Sequence, residues 1–423
     1  MLNSWLAIAV FVLAYFFIIL EKVHRGVVVW VAASLVIALG VINQEKAIES
    51  VDFNTLLLLI GMMVIVGITR KSGVFEYMAI KSAKLVQGKP IYLLAVLAIV
   101  TAVASALLDN VTTVLLMVPV TYALTDRLEI SPIPFLLTEI LASNIGGTAT
   151  LIGDPPNIMI GSATGLGFMD FVVNLALPCL FILLITIACL AFIYRKDLKA
   201  DDDKIQRIMV LNEKEFIKEW AILKKSLLVL ALTILGFLLH QTLELESATI
   251  ALLGAGMLLL ITRVEIEEAL LNVEWPTIFF FGGLFILVGA LKVNGVIDFI
   301  ARESLQITGN SLLTTGMLVL WLSAIASAFI DNIPFVATMI PLLQSIASLT
   351  HMPMESIWWA LSLGACLGGN GTLIGASANV IVAGMSERYN TPISFMYYLK
   401  IGFPLMLLSI IIANAYLYWF FWS

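Results

Sequence analysis

The chain has 423 residues, of which 61% are apolar and only 12% are charged, and its mean hydropathy is +1.04. Soluble globular domains average about 25% charged and roughly half apolar residues. This composition therefore excludes a soluble enzyme, a disordered protein, a disulfide scaffold and a nucleic-acid binder. The net charge of −6 says little about function, because the placement of charge matters more than its sum in a membrane protein.

Ten apolar segments have about the length that a helix needs to cross a ~30 Å hydrocarbon core. In the first half the predicted spans are 4–20, 26–42, 53–69, 133–162 and 170–194. In the second half they are 226–242, 248–262, 275–291, 357–385 and 396–420.

The basic residues predict the orientation of these spans. Nine Lys and Arg lie in 195–225 and five lie in 70–89. If both stretches face the cytoplasm, 20 of the 23 Lys and Arg lie on that side, as the positive-inside rule expects. The expected location is the cell (inner) membrane, with the linker cytoplasmic and both termini extracytoplasmic.

The two halves of the chain align at a constant offset of 222 residues. Between 104–119 and 326–341, 8 of 16 positions are identical, and between 146–157 and 368–379, 7 of 12 are. Chance similarity between apolar helices would match Leu with Leu. The pairs matched here include Asp109 with Asp331, Asn110 with Asn332, Pro119 with Pro341, Gly153 with Gly375 and Asn157 with Asn379.

An odd number of crossings in each half inverts the second half relative to the first. Inverted repeats are typical of secondary transporters, whose substrate site lies near the midplane where the repeats meet. The predicted fold is an all-α polytopic membrane protein of about ten transmembrane helices, two of them discontinuous, plus two re-entrant hairpins. The predicted divisions are a first repeat over 1–197, a linker over 198–222 and a second repeat over 223–423.

Two further apolar segments, 90–124 and 311–346, are interrupted by polar residues. The interruptions are Asp109, Asn110, Thr112 and Thr113 in the first segment, and Asp331 and Asn332 in the second. Such groups are costly in hydrocarbon unless they line a cavity. The count of spans requires each segment to enter and leave on one side. We therefore predict two re-entrant helical hairpins with Asp-Asn at their tips.

Two of the predicted spans, 133–162 and 357–385, are broken by paired glycines. The pairs are Gly146-Gly147 and Gly368-Gly369. Glycine destabilises a helix interior, and a break frees backbone carbonyls and leaves a half-helix N-terminus with partial positive charge. Non-helical backbone at this depth is tolerated where it is buried in protein or lines a cavity. Each half thus supplies one hairpin tip and one broken helix to a common site.

The candidate substrate- and ion-binding residues are the polar residues of the tips and breaks, with one glycine. They are Asp109, Asn110, Thr112, Thr113, Ser143, Asn144, Gly147, Thr148, Thr150, Asp154, Asn157, Asp331, Asn332, Asn370, Thr372, Ser377 and Asn379. If sodium is bound, the expected ligands are Asp109, Asn144, Asp331 and Asn370.

The motifs over 109–113, 144–150 and 153–157 resemble the ion transporter superfamily. The branch is that of ArsB-type arsenite efflux pumps, NhaD sodium/proton antiporters and the pink-eyed-dilution permease, and the last type looks closest. The resemblance implies two hairpins, two broken helices, a scaffold that often dimerises and elevator-type movement of the hairpin-bearing part. Dicarboxylate/sodium symporters of the superfamily carry Ser-Asn-Thr at the tips, which weakens a transfer of dicarboxylate specificity to this chain.

The embedded ionisable residues are nearly all acidic. They are Asp109, Glu139, Asp154 and Asp331, and no Lys or Arg occurs within the four interrupted segments. A buried anion site usually recruits Arg or Lys, whereas a cation or proton site needs carboxylates and carbonyls. We expect protonation or cation binding at Asp109 and Asp331, with H⁺ as the coupling ion, Na⁺ as the alternative and no cofactor.

Several substrates are compatible with such a site. Proton-coupled efflux of arsenite or antimonite fits because the trihydroxy species is neutral, and it is placed first because arsenical pumps dominate the branch that this chain resembles. Sodium/proton antiport fits the paired aspartates equally well, and dicarboxylate or citrate transport fits least. An ion channel is the alternative from another class, but an inverted repeat with two broken helices favours alternating access.

For two acidic residues the sequence leaves two interpretations open. Asp154 has Ala376 as its counterpart and is either the proton-coupling carboxylate or an N-terminal cap for the following half-helix, which begins Pro155-Pro156. Glu139 either faces the cavity or reaches the cytoplasmic interface.

An enzyme is not expected, because the chain offers no nucleophile–base pair and no metal-ligand cluster. It also lacks a Walker motif, which leaves a separate ATPase subunit open. The expected partners are a small inorganic ion or metalloid, the lipid bilayer and, from the resemblance, a second copy in a homodimer. Nucleic acid is not expected.

Overall fold

The computed structural model describes residues 2–20, 22–309, 311–350 and 352–423, apart from the side chain of Gln241. This described part of the chain is helical and contains no strand, which confirms the all-α class. Ten of its helices are long and apolar enough to cross a membrane, and two shorter apolar helices accompany them. The protein is therefore a multi-pass membrane protein.

The helices follow the chain in two similar sets joined by a linker. The first set is α1 Leu2–Leu20, α2 Arg25–Ala38, α3 Gln44–Glu49, α4 Phe53–Lys71, α5 Val74–Leu85, α6 Pro90–Leu107, α7 Asn110–Leu128, α8 Ile133–Thr148, α9 Pro155–Thr164 and α10 Phe168–Ile193. The linker contains α11 Asp202–Met209. The second set is α12 Trp220–Leu243, α13 Ser247–Thr262, α14 Ile266–Leu270, α15 Trp275–Val293, α16 Val296–Thr308, α17 Leu312–Phe329, α18 Asn332–Leu349, α19 Glu355–Gly368, α20 Ser377–Arg388 and α21 Phe395–Leu417.

Eight pairs of helices, from α2 with α13 to α9 with α20, begin 222 positions apart. The starting residues are set by equivalent local signals. Gly73 and Gly295 both adopt a left-handed backbone, with φ of 78° and 73°, directly before α5 and α16. An L-residue with a side chain rarely adopts this conformation. The internal repeat in the sequence is thus a repeat of helix boundaries.

The two hairpins turn at the predicted Asp-Asn pairs. Asp109 separates α6 from α7 and accepts a hydrogen bond from the backbone N–H of Thr112 at 2.8 Å. Asp331 separates α17 from α18 and accepts from the N–H of Ile333 at 3.2 Å. Each aspartate therefore caps the second limb of its hairpin, because a carboxylate satisfies N–H groups that the first turn leaves unpaired.

Close packing of backbone explains the glycines at the helix breaks. A Cβ atom at Gly153 would lie 2.6 Å from the carbonyl oxygens of Gly147 and Ser105, and one at Gly368 would lie 2.6 Å from that of Ala324. No side chain fits at such distances. The breaks thus pack directly against the first limbs of the hairpins, α6 and α17, with no side chain between them.

Replacing Gly153 with alanine should destabilise the protein by about 1–3 kcal/mol, the usual cost of overpacking a tight contact. The new methyl group would meet backbone on two sides, which cannot move away as a flexible side chain could. Thermal unfolding of the purified protein in detergent measures this effect. Gly384→Ala is the matched control, because a methyl group added there would have no neighbouring atom within 4 Å. Equal melting temperatures of the two variants would contradict the prediction.

The helices pack in two groups. In one group, α6 packs on α8 and α17 packs on α19, so each hairpin lies against a broken helix. In the other group, α2 packs on α15 and α4 packs on α13. The short helices α5 and α16 follow α4 and α15 and connect the second group to the hairpins. The polar residues of the tips and breaks lie mainly in the first group.

Candidate functional site

The carboxylate of Asp154 lies at the centre of the polar site. Asp154 is fully buried, and the amide of Asn332 donates to its Oδ1 and Oδ2 atoms at 3.3 and 3.2 Å. The amide of Asn110 lies 3.4 Å from the same Oδ1. One carboxylate thus accepts hydrogen bonds from the tips of both hairpins, and no residue in the described ranges forms an ion pair with it.

Asp154 occupies the N-cap position of α9, yet its side chain makes no capping hydrogen bond to that helix. Of the two interpretations left open by the sequence, a cap formed by this side chain is therefore not the one that the structure adopts. The carboxylate points to Asn110 and Asn332 instead.

Amide side chains also connect the two halves across the helix breaks. The Nδ2 of Asn144 donates to the Oδ1 atoms of Asn370 and Asn379, at 2.9 Å in both cases. The Oδ1 of Asn144 accepts from Asn110 at 3.3 Å. Asn144 therefore connects the first hairpin tip, the first break and the second break in one buried network. These side chains orient one another, because each bond fixes the direction of the next.

Several other predicted residues hold the broken helices in shape. Asn157 donates to the carbonyl oxygens of Thr148 and Thr150 at 3.0 and 2.9 Å, and Asn379 does the same at Gly369 and Thr372, at 2.7 and 2.9 Å. The breaks leave these carbonyls without helical partners. Four carbonyls at the breaks thus accept hydrogen bonds from side-chain amides.

The threonine of each break holds it to the adjacent hairpin. Thr150 donates to the carbonyl of Ala106 at 2.5 Å, and Thr372 donates to that of Ala328. Ala106 and Ala328 occupy equivalent positions near the ends of α6 and α17. Ser143 and Thr148 donate to the carbonyls of Asn110 and Asn144, at 3.1 and 2.7 Å.

The remaining candidates differ in their hydrogen bonds and packing. The hydroxyl of Thr113 is buried and has no partner among the described residues, whereas that of Thr112 donates to Asp109 at 2.5 Å. A Cβ at Gly147 would lie 2.6 Å from the carbonyl oxygen of Gly153, so this glycine serves the packing of the break.

Glu139 is fully buried and accepts a hydrogen bond from Thr121 on α7. Its Oε2 atom has no partner among the described residues. Glu139 lies between α7 and α8, about one helical turn from Ser143. Its two interpretations, facing the cavity or reaching the cytoplasmic interface, stay predictions.

The aspartates of the two tips have different surroundings. Asp331 accepts hydrogen bonds from the guanidinium of Arg25 and, at 2.9 Å, from the hydroxyl of Ser377. Arg25 also donates to Ser377 at 2.9 Å and lies over the ring of Phe280, 5.0 Å from its centroid. The residue equivalent to Arg25 in the second half is Ser247, and Asp109 forms no ion pair with any described residue.

Of the four predicted sodium ligands, the structure brings Asn144 and Asn370 into contact with each other. Asp109 bonds to Thr112 and Asp331 to Arg25. The side chains of all four are thus engaged by other protein groups in this conformation.

Two cavities meet at Arg25 and Ser377, which line both of them. The smaller one has a volume of about 20 Å³, space for about one water molecule, and we call it the polar chamber. Its ionisable lining residues are Arg25, Asp109, Asp154 and Glu274. The larger one, of about 270 Å³, is lined by Arg25, Asp331, Ser377 and mainly aliphatic residues such as Val23 and Val380, and we call it the entrance cavity. Val23 and Val380 are 44% and 42% exposed, so the entrance cavity opens to the outside of the protein.

Sequence reasoning missed Arg25 and Glu274. Arg25 was counted only as one of the basic residues that set the orientation. Glu274 directly precedes α15, outside the predicted span 275–291. The usable signal for Glu274 was its equivalence to Asp52, an acidic residue at the same N-cap position before α4.

Comparisons with known proteins agree with this architecture. The family model of the citrate transporter CitMHS matches residues 15–364. An uncharacterized transporter of Mycobacterium tuberculosis is 44% identical over 98% of both chains. The human P protein is 34% identical over 97% of this chain and 59% of its own length. The resemblance to the ion transporter superfamily and its pink-eyed-dilution type is thereby confirmed.

Solved structures of two transporters have the same fold at low identity. The YdaH transporter of Alcanivorax borkumensis is 13% identical, with a TM-score of 0.57 over 86% of this chain and 85% of its own. MtrF of Neisseria gonorrhoeae, described as illuminating a class of antimetabolite efflux pumps, is 14% identical, with a TM-score of 0.59 over 87% and 80%. At this identity the likeness concerns the fold alone.

Proposed function

Since this chain belongs to the citrate transporter family of membrane transporters, we propose that it is a proton-coupled secondary active transporter whose coupling carboxylate is Asp154. The observation that carries the proposal is the hydrogen bonding of Asp154 to the tips of both hairpins. An ionised carboxylate buried without a cation is costly, and it loses this cost by taking up a proton or by binding a cation. We therefore expect Asp154 to take up or release a proton when the hairpin tips move.

A proton suits this site better than sodium, which stays the alternative coupling ion. A metal cation bound by oxygen ligands needs several of them at once. The carbonyls of the breaks already accept from Asn157 and Asn379, and the amide of Asn144 is bonded to Asn370. A proton needs no additional ligands.

We propose that the hairpins and broken helices move together relative to the second packing group, as in an elevator. Hairpins and breaks are bonded to each other by Thr150, Thr372 and the amide network. Contacts from this group to α1 and α2 include few polar side chains, among them Tyr15, whose hydroxyl bonds to the carbonyl of Pro334 at 2.5 Å. The hydrogen bonds within the hairpin-bearing group favour its movement as a unit.

The charges around the chamber favour a substrate without multiple negative charges, and such a substrate would need this space, which now holds about one water molecule, to widen. Three carboxylates and one guanidinium line it, and like charges repel strongly at low dielectric. Neutral arsenite or antimonite, moved outward, is therefore our first candidate. Citrate is the second, because the family model carries that name and because Arg25 offers a guanidinium that could pair with a carboxylate.

Transport in proteoliposomes decides between these candidates. Arsenite, citrate and sodium are tested side by side under an imposed pH gradient, with sodium replaced by choline in a parallel series. We expect uphill arsenite movement that stops when the pH gradient is dissipated and persists in choline. Uphill citrate movement with the same dependence would favour the second candidate. Flux that needs sodium and ignores the pH gradient would overturn proton coupling.

The orientation proposed from the charge bias places the 195–225 linker in the cytoplasm. An impermeant thiol reagent should therefore fail to reach a Cys introduced at Lys214 in intact cells and should reach it after permeabilisation. A Cys at Ser423 should be labelled in intact cells and is the matched control. Labelling at position 214 in intact cells would reverse the orientation.

A further inference from the structure

We propose that Arg25 and Asp331 form a gate that closes the polar chamber from the entrance cavity. Arg25 and Ser377 line both cavities, whereas Asp331 lines the entrance cavity and Asp154 lines the chamber. The ion pair therefore lies where the larger and the smaller cavity meet. The inference concerns the same site as the proposed transport function, but its test needs no transported substrate.

Three contacts hold the guanidinium in this position. It pairs with the carboxylate of Asp331, donates to Ser377 and lies over the ring of Phe280. Its side chain is 28% exposed and that of Asp331 is 11% exposed, so both groups are partly withdrawn from water. Several directed contacts on one planar group restrict it to one orientation, as a closing element requires.

The ion pair also joins the two packing groups. Arg25 is the first residue of α2, which packs on α15, and Asp331 lies at the tip of the second hairpin. Movement of the hairpin relative to α2 would separate the two charges. The gate and the proposed movement are thus coupled, since the tip cannot leave this position while the pair is intact.

The gate is present in one half only. The residue equivalent to Arg25 is Ser247, which cannot form an ion pair with Asp109. The two tips therefore carry different tasks: the second closes the chamber by a charge pair, and the first presents an aspartate to the chamber without a basic partner. This difference breaks the pseudo-symmetry at the hairpin tips.

Thiol labelling of the chamber tests the gate directly. Thr277 lines the chamber and Val380 lines the entrance cavity. Each is changed to Cys in a background in which Cys179, Cys189 and Cys366 are replaced by alanine. The rate of modification by a small charged methanethiosulfonate is measured on purified protein in nanodiscs, so that both faces are accessible. Arg25→Gln and Asp331→Asn should each raise the rate at position 277 about tenfold, as expected for the loss of a charged hydrogen bond, and leave that at position 380 unchanged.

Arg25→Lys tests whether the charge of this side chain or its shape closes the chamber. Lysine keeps the ion pair in a different shape, so the rate at position 277 should stay within about threefold of the parent. Unchanged labelling at position 277 in both Arg25→Gln and Asp331→Asn would overturn the gate. An increase with Arg25→Gln alone would also overturn it, because the bulk of the side chain and not the ion pair would then close the chamber. A failure of proton coupling in the transport assay affects none of these outcomes.

Discussion

Asp154→Asn should abolish uphill transport driven by a pH gradient while leaving exchange of substrate across the membrane measurable. Asparagine has nearly the shape of aspartate and can still accept one hydrogen bond from Asn332, so the chamber should keep its form. It cannot bind and release a proton near neutral pH. We expect accumulation against a gradient to fall at least about a hundredfold, equivalent to about 2.7 kcal/mol of lost coupling. Counterflow of labelled substrate and accumulation under an imposed pH gradient are measured on the same liposomes.

Asp202→Asn is the control for this experiment. Asp202 lies in the linker helix α11 and is exposed, so it loses the same charge outside the chamber. Its accumulation and exchange should match those of the parent protein. If Asp154→Asn accumulated substrate as well as the parent, the proton would have to bind elsewhere. If exchange vanished together with accumulation, Asp154 would be needed for binding and its role in coupling would lose its support.

The aspartates of the two tips should respond differently to the same substitution. Asp109→Asn keeps the cap of α7, because asparagine is as good a cap as aspartate. We therefore expect stability within about 0.5 kcal/mol of the parent, with transport strongly reduced. Asp331→Asn leaves Arg25 without its counter-ion. We expect it to lower transport as well and to cost about 1.5–3 kcal/mol of stability, the range for a hydrogen bond to a charged group.

A double substitution separates the two contributions at the second tip. Arg25→Gln added to Asp331→Asn removes the unpaired guanidinium, so part of the lost stability should return. Thermal unfolding of the parent, both single variants and the double variant forms a cycle that isolates the pair. Additive losses in that cycle would show that Arg25 and Asp331 do not interact. Equal melting temperatures for Asp109→Asn and Asp331→Asn would contradict the asymmetry of the tips.

Most of the fold could be predicted from the sequence, because the residues matched between the two halves are suited to few positions in a membrane protein. Asp109 and Asp331 mark hairpin tips, since a carboxylate caps the helix that begins after a turn. Gly153 and Gly375 mark breaks where backbone packs on backbone. Aligned at one offset, these positions identify the helix starts without any knowledge of packing.

The side-chain contacts of the site could not be predicted in the same way. Arg25 and Asp331 are 306 residues apart, and the local sequence around either residue does not indicate that the two are in contact. Asp154 precedes two prolines at the start of α9 and therefore resembles a cap, yet its carboxylate is turned to the amides of the tips. Whether Asn157 binds a substrate or satisfies a free carbonyl depends on distances of a few ångströms that no residue pattern contains.

Proton movement caused by substrate is the most direct test of coupling at Asp154. Parent protein and Asp154→Asn are reconstituted into liposomes containing a pH-sensitive dye, and arsenite or citrate is added without an imposed pH gradient or sodium. We predict that substrate entry into the parent liposomes changes the internal pH, and that Asp154→Asn exchanges substrate with no pH change. An equal pH change in both proteins, or substrate movement in the parent with none at all, would contradict proton coupling at Asp154.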